Sequence, residues 1–300
     1  MGFNNPAMPW RELEQTLSDG VRRPDGRAAG SPSWNAGGDG PAWTRKRQPF
    51  ESDVRRSNST SSGVGTDATL TPYAELHCQS NFSFLSGASH PEQLAEEAAH
   101  LGLEALALTD QNGLYGVVRF AEAARAVGLP TVFGTEVTLD ITRFEPGLAD
   151  PAGEHVVLLA DGPTGYARLA RALSLGQLAG EKGAPQFVLA QLAEVGRDYW
   201  WVLTGCRHGV VPAALMRDGP AAAARELQRL VSLFGRDRVV VELWDHGDPL
   251  DSARNDALAE IAARHDVVCI ATNDVHYATP KQRRLATALS AVRARRSLER

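Results

Sequence analysis

Beyond residue 70, short apolar runs alternate with segments whose apolar residues recur at helical spacing. Short runs bounded by turn residues read as strands, and an i, i+3, i+4 recurrence reads as a helix. Strand-type runs fall at Tyr73–Cys78, Glu104–Thr109, Thr131–Leu139, His155–Ala160, Tyr199–Thr204, Arg238–Trp244 and Val267–Thr272. The Val239-Val240-Val241 run suits a strand buried on both faces. Between the strands, Pro91–Leu101 puts Leu94, Ala95, Ala98 and Leu101 on one helical face, and Gly102 stops it. Val117–Val127 reads as a helix ended by Gly128. Thr164–Leu178 turns Tyr166, Leu169, Ala170 and Leu173 inward, and Leu189–Val195 is a short helix. Pro220–Phe234 carries Leu227, Leu230 and Val231 on one side. Asp251 is placed to cap a helix running to Arg264. Residues 140–154 form a loop containing Pro, Gly and Asp, and the last twenty residues form one more helix.

Strands alternating with helices predict an α/β fold with a parallel sheet. Right-handed crossovers with helices outside let such a sheet close as a barrel, whose function sits on the loops after the strands. An open doubly wound sheet is the alternative. Polar residues at the ends of several strands favour the barrel, because closure brings all those ends together.

Composition divides the chain into three. Residues 1–70 are dominated by Gly, Pro, Ser, Asp and Arg, and read as a disordered, low-complexity leader. Pro9–Leu17 is its one stretch with amphipathic helical spacing. Residues 71–280 are the barrel. Residues 281–300 are a basic helix. The 300 residues carry a net charge of −5, unevenly spread. The leader holds nine Lys/Arg against eight Asp/Glu, and residues 281–300 hold seven against one, so residues 71–280 carry −12. An acidic middle does not grip a nucleic-acid backbone broadly, but it suits metal ions. A basic end suits contact with nucleic acid, although a solvated helix face is the ordinary explanation of such a run. No apolar run reaches the length of a membrane span, and the N-terminus lacks an apolar signal core. Three dispersed cysteines, Cys78, Cys206 and Cys269, suit a reducing compartment. A cytoplasmic protein is expected, without a membrane partner.

The candidate chemistry lies at the strand ends. His77 ends the first strand, and a polar turn closing on Gly87 follows. Thr109-Asp110-Gln111 follows the second strand. Glu136 lies in the third, Cys206 follows the fifth and His246 the sixth. Asn273-Asp274-Val275-His276 follows the seventh. The Asp-x-His spacing puts two side chains on one side of an extended segment. Imidazole, carboxylate and thiolate together form a ligand set for zinc, iron or manganese. Taken singly, Asp110 is equally a helix cap and Cys206 a core residue. Together, His77, Glu136, Cys206, Asp274 and His276 are expected to share one pocket, with Asp110 and His246 as further members.

Three stretches carry a family resemblance: Leu76–Gly87 (Leu-His-Cys-Gln-Ser-Asn-Phe-Ser-Phe-Leu-Ser-Gly), Leu106–Asp110 (Leu-Ala-Leu-Thr-Asp) and Ala271–Tyr277 (Ala-Thr-Asn-Asp-Val-His-Tyr). They resemble the polymerase and histidinol phosphatase (PHP) domain, in the version at the N-terminus of bacterial C-family DNA polymerase alpha subunits. Leu114–Ala123 and Arg293–Leu298 are similar to the error-prone, damage-inducible branch found in actinobacteria. The resemblance spans residues 73–300 and implies a distorted seven-stranded (β/α)7 barrel of PHP type. Position by position it implies metal ligands at His77, Glu136, His155, Cys206, Asp274 and His276. Three positions depart from the family pattern. Gln79 and Gln111 stand where it has histidines, and Ser86 where it has an aspartate. His155 begins its strand, so its place on the same rim rests on the resemblance.

Active members of the family are thought to use the metals for 3′–5′ exonuclease proofreading. The departures imply a degenerate site that binds at most one Zn²⁺ or Mn²⁺ tightly, no confidently placed catalytic residue, and no proofreading by this chain. The resemblance further implies a parent polymerase that extends past damaged template, in DNA replication and repair. That parent would act on DNA and dNTPs with Mg²⁺ held by a palm domain, and with mutasome or sliding-clamp proteins as accessory partners. The chain stops before any palm segment, with residues 281–300 as the start of the following polymerase region. It is therefore expected to be a fragment or a truncated product. A stand-alone PHP phosphoesterase is the enzymatic alternative. A structural domain that stabilises the polymerase or binds a partner is the non-enzymatic one, and it ranks first for the domain alone.

Overall fold

The computed structural model describes residues 71–139, 153–181 and 183–298. The expectations for residues 1–70, and most of the 140–154 loop, lie outside the described residues. The strands are β1 (Ala74–Glu75), β2 (Ala105–Leu108), β3 (Thr131–Leu139), β4 (Glu154–Ala160), β5 (Trp200–Leu203), β6 (Val239–Leu243) and β7 (Val268–Ala271). The helices are α1 (Pro91–His100), α2 (Val117–Val127), α3 (Gly162–Ala179), α4 (Leu189–Gly196), α5 (Val210–Asp218), α6 (Pro220–Phe234), α7 (Asp251–Arg264) and α8 (Arg283–Ala294). Local signals explain most boundaries. Pro91 opens α1 while the Gln93 side chain accepts the His90 amide. α2 buries Val117, Phe120, Ala123, Ala124 and Val127, and ends at Gly128, whose φ of 69° suits a residue without Cβ.

The seven strands follow one another in chain order across the sheet. β1–β2, β2–β3, β5–β6 and β6–β7 are parallel, whereas β4 runs antiparallel to both β3 and β5. The expectation of an all-parallel sheet is corrected at this strand. A parallel pair needs a crossover, usually a helix, and residues 140–153 carry prolines and glycines without helical spacing. Helix α5 was absent from the pattern-based reading. Val210, Val211 and Ala214 on its buried side carried the signal. The final helix stops at Ala294, where Arg295 turns left-handed with φ 52°, so it does not run to the chain's end as expected.

Two apolar layers flank the sheet. Val137, Leu139, Val156, Leu158, Trp200, Val202, Val239 and Val241 join Leu169, Leu173, Leu192, Leu227, Leu230, Phe234, Leu258 and Ile261 of the helices in the outer core. Alternate residues face the sheet's concave side. There Ala107, Val157, Leu159, Leu203 and Val240 pack with Leu76, Val132 and Ile270. The inward columns of β3, β4 and β6 are apolar at one end of the barrel and polar at the other. β6 goes from Val240 to Glu242, and β3 from Val132 to Glu136 and Thr138. On β4 the order reverses, from His155 to Val157 to Leu159, because that strand runs the other way.

The edges of the sheet meet just beyond the strands at the polar end. Cys78 bridges Val275 in parallel. The Gln79 amide donates to the Val275 carbonyl at 2.8 Å, and the Val275 amide to that of His77 at 2.9 Å. The segment after β7 is thereby fixed beside His77. No described helix is long and apolar enough to cross a membrane.

Candidate metal centre

Reversal of β4 places His155 on the rim. Across the β3–β4 register His155 lies opposite Thr138, and Glu136 opposite Val157. His155 Nδ1 is 3.1 Å from Glu136 Oε1, with both side chains buried. A residue at the start of an antiparallel strand thus shares the end occupied by the last residues of the parallel ones. Glu136 Oε2 lies 2.9 Å from His77 Nε2. Two groups of potential ligand atoms follow, each within 4.8 Å: Glu136 with His155 and Cys206, and Glu136 with His77 and Asp274. His276 Nε2 stands 3.4 Å from Asp274 Oδ1. The Asp-x-His pair converges through a bend rather than along an extended strand, because Asp274 is left-handed with φ 45°. A non-glycine residue in that region is strained and needs support from its surroundings. Val275, pinned on both sides by the first strand's extension, supplies it.

Sequence reasoning missed Glu242. It is fully buried, and its Oε1 accepts from His77 Nδ1 at 2.7 Å and from Thr272 Oγ1 at 2.5 Å. The signal was a charged residue in the buried strand Val239–Leu243, two positions after the inward-facing Val240. A carboxylate behind a histidine fixes the ring so that its other nitrogen presents to a metal.

Electrostatics follow from this crowding. Burial alone favours neutral His77, but Glu242, Asp274 and Glu136 outweigh it and raise the imidazole well above its ordinary range. Burial pushes Glu136 up, yet His155 and His77 hold it below the usual carboxylate range. Asp274 is likewise held down, with His77, His276 and the Cys206 thiol overcoming burial. The Cys206 thiol is driven well up by burial, then by Asp274 and Glu136. A metal ion would displace that thiol proton.

The donor set fits an ion. Among the described residues, buried Glu242 Oε2 accepts no hydrogen bond, and Asp274 Oδ1 has only the imidazoles of His276 and His77 at 3.4 and 3.5 Å. A buried carboxylate oxygen without a donor is costly unless a cation meets it. His77, Glu136, His155, Cys206, Asp274 and His276 supply nitrogen, oxygen and sulfur ligands of the kind such an ion takes.

The residues at the three departing positions form bonds of their own. Ser86 Oγ donates to Gln79 Oε1 at 2.8 Å, and Gln79 Nε2 donates to Glu136 Oε1 at 3.2 Å. Gln111 Nε2 donates to Thr138 Oγ1 at 3.3 Å. All three line a cavity of about 420 Å³ with Glu136, His155, Cys206, Asp274, His276 and His246. Its outer wall adds Arg207, His208, Arg283 and Arg293, which the sequence reading did not assign to the site. His246 sits at the rim, its Nε2 donating to the Asn273 carbonyl at 2.7 Å.

Asp110 corrects an expectation. It does not line this cavity. Its Oδ1 accepts from the Ser80 amide at 2.8 Å and from the Ser80 and Ser83 hydroxyls at 2.9 Å each. It locks the turn that ends at Gly87, where an added Cβ would stand 2.0 Å from the Ser80 carbonyl oxygen. Asp251 is a second correction. It is the first residue of α7, and its Oδ2 accepts the amides of His246 and Asp248 at 2.8 and 3.0 Å. It therefore holds the preceding loop instead of capping the helix. Asp110→Ala should destabilise the fold by about 2–3 kcal/mol, since it strands buried donors in the turn. Urea denaturation checks this, and an unchanged midpoint would show that the turn does not depend on Asp110.

The PHP domain family model matches residues 75–246. A protein named error-prone DNA polymerase, from Cutibacterium acnes, is 48% identical over 100% of this chain and 25% of its own length. One of the same name from Mycobacterium tuberculosis is 47% identical over 100% of this chain and 26% of its own. The chain thus spans about a quarter of the length of these relatives. Among solved structures, an amidohydrolase from Chromobacterium violaceum superposes with a TM-score of 0.48 at 19% identity, over 68% of this chain and 87% of that one. With its family model covering more than half of the residues, the chain belongs to the PHP domain family.

Proposed function

We propose that this chain is the PHP domain of a longer error-prone DNA polymerase, acting there as a structural module with one residual metal site. The observation that carries the first part is near-half identity, along the whole chain, to relatives bearing that name. The parent would act on DNA and dNTPs in the cytoplasm, copying past damage with Mg²⁺ held outside this segment. Accessory clamp or mutasome proteins would be its partners.

The second part rests on the bonds of the departing residues. Gln79 spends its amide on Glu136 and Ser86 spends its hydroxyl on Gln79. Neither offers the charge or basicity of the ligand it replaces. What remains, His77, Glu136, His155, Cys206, Asp274 and His276, suits about one four- or five-coordinate ion. Imidazole and thiolate favour zinc over magnesium, with manganese the second choice. Hydrolysis of a phosphodiester needs an activated water and charge stabilisation on the leaving oxygen, which paired ions share. The chain is therefore expected to bind zinc without cutting DNA.

The test incubates the chain with zinc or manganese, dialyses it and counts metal. About one ion per chain is expected, lost in His276→Ala. The loaded chain should leave labelled single-stranded and mismatched primer DNA intact. Chelator-sensitive cleavage that disappears in His276→Ala would overturn the structural reading and favour proofreading. Hydrolysis of a small phosphate monoester under the same control would favour the phosphoesterase alternative.

A further inference from the structure

One face of α8 forms the outer wall of the cavity. Arg283, Ala286, Thr287, Ser290 and Arg293 all line it, at helical i, i+3 and i+4 spacing. Of these, Arg293 contacts Gln111 on the facing wall. It is half-buried, and its Nη2 donates to Gln111 Oε1 at 3.3 Å. Gln111 is fixed from the other end, where its Nε2 donates to Thr138 Oγ1. Its backbone bridges that of Glu136. The amide oxygen of Gln111, its one atom able to ligate a cation, is therefore turned to a guanidinium, on a residue whose backbone pairs with that of Glu136.

The two ligand groups share the Glu136 carboxylate and so form one crowded site, to which Gln111 contributes no ligand. A fixed positive charge in the same enclosure repels a second divalent ion while balancing the negative side chains. We propose that Arg293 acts as a resident cation: its guanidinium occupies the Gln111 side and prevents a second metal ion from binding there. This rests on the one-ion site proposed above. It adds that a second ion is excluded from α8 and not by the identity of residue 111 alone.

The experiment compares zinc content after dialysis across the parent chain, Gln111→His, Gln111→His/Arg293→Met and Gln111→His/Arg293→Lys. Melting curves check that each folds, and Arg293→Gln replaces Arg293→Met if the latter does not. The parent and Gln111→His should hold equal amounts of zinc. The Met double variant should gain about one further ion, and the Lys double variant, which keeps the charge, should not. A full gain in Gln111→His alone would overturn the proposal, as would no gain in the Met double variant or an equal gain in the Lys double variant. The parent's own zinc content tests the one-ion reading, whereas the difference between single and double variants tests the role of Arg293.

Discussion

Glu242→Ala should lower the unfolding free energy by about 3–5 kcal/mol, the range for removing one partner of a buried pair. Its carboxylate has no exposure to solvent, and it is the only acceptor within reach of His77 Nδ1 among the described hydrogen bonds. Removing it also strands the Thr272 hydroxyl. His77 would then lose the carboxylate that does most to raise its imidazole against burial. Glu242→Gln retains an acceptor of similar shape and should cost less. In a double-mutant cycle, His77→Ala in the Glu242→Ala background should cost far less than His77→Ala alone, because in that background the imidazole has already lost its partner. Chemical denaturation of the four chains gives the cycle. Additive effects would mean that the two residues contribute separately, and Glu242 would lose its assignment as the positioning carboxylate.

That Glu242 escaped the sequence while His77 did not has a physical reason. Barrels expose their chemistry where strands end, so ligand-type residues stand out there. Glu242 lies inside a strand whose Val239-Val240-Val241 run signals burial, and burial hides whether a carboxylate is a member of a network. His155 was legible only through resemblance. In a parallel sheet the start of a strand lies at the rim opposite the other ligands. The orientation of β4 depends on the β3–β4 connection and on pairing partners far apart in the chain, neither of which periodicity encodes. Strand positions, by contrast, were legible from apolar runs alone, because each run must fill one column of the sheet. Asp110 and Asp251 show the converse limit. A carboxylate at an element's end can serve a metal, a helix or a loop, and only the direction of its neighbours' amides decides. In the sequence Arg293 belongs to a basic helix and to a stretch similar to the error-prone branch. Its contact with Gln111 joins residues far apart in the sequence, which composition cannot foresee.

Loss of Glu136 should have the largest effect on metal binding. It is the one residue common to both ligand groups. Its two oxygens divide the work, Oε2 facing His77 Nε2 and Oε1 facing His155 Nδ1 and the Gln79 amide. In Glu136→Ala both groups lose the carboxylate they share, so neither can fully substitute for the other. Zinc affinity should fall by more than about 100-fold, beyond the 10–100-fold expected when an outer partner such as Glu242 is changed. Glu136→Gln should be nearly as damaging, because an amide removes the charge and adds donors facing the imidazoles. The Gln79 amide would also lose a charged acceptor for a neutral one, a weaker bond by roughly half. Competition against a chromophoric chelator measures the affinities, with circular dichroism confirming the fold. A Glu136→Ala chain that binds zinc within about ten-fold of the parent would place the ion elsewhere, with Asp274 and His276 as the remaining anchors, and would separate the two ligand groups that the shared carboxylate now joins.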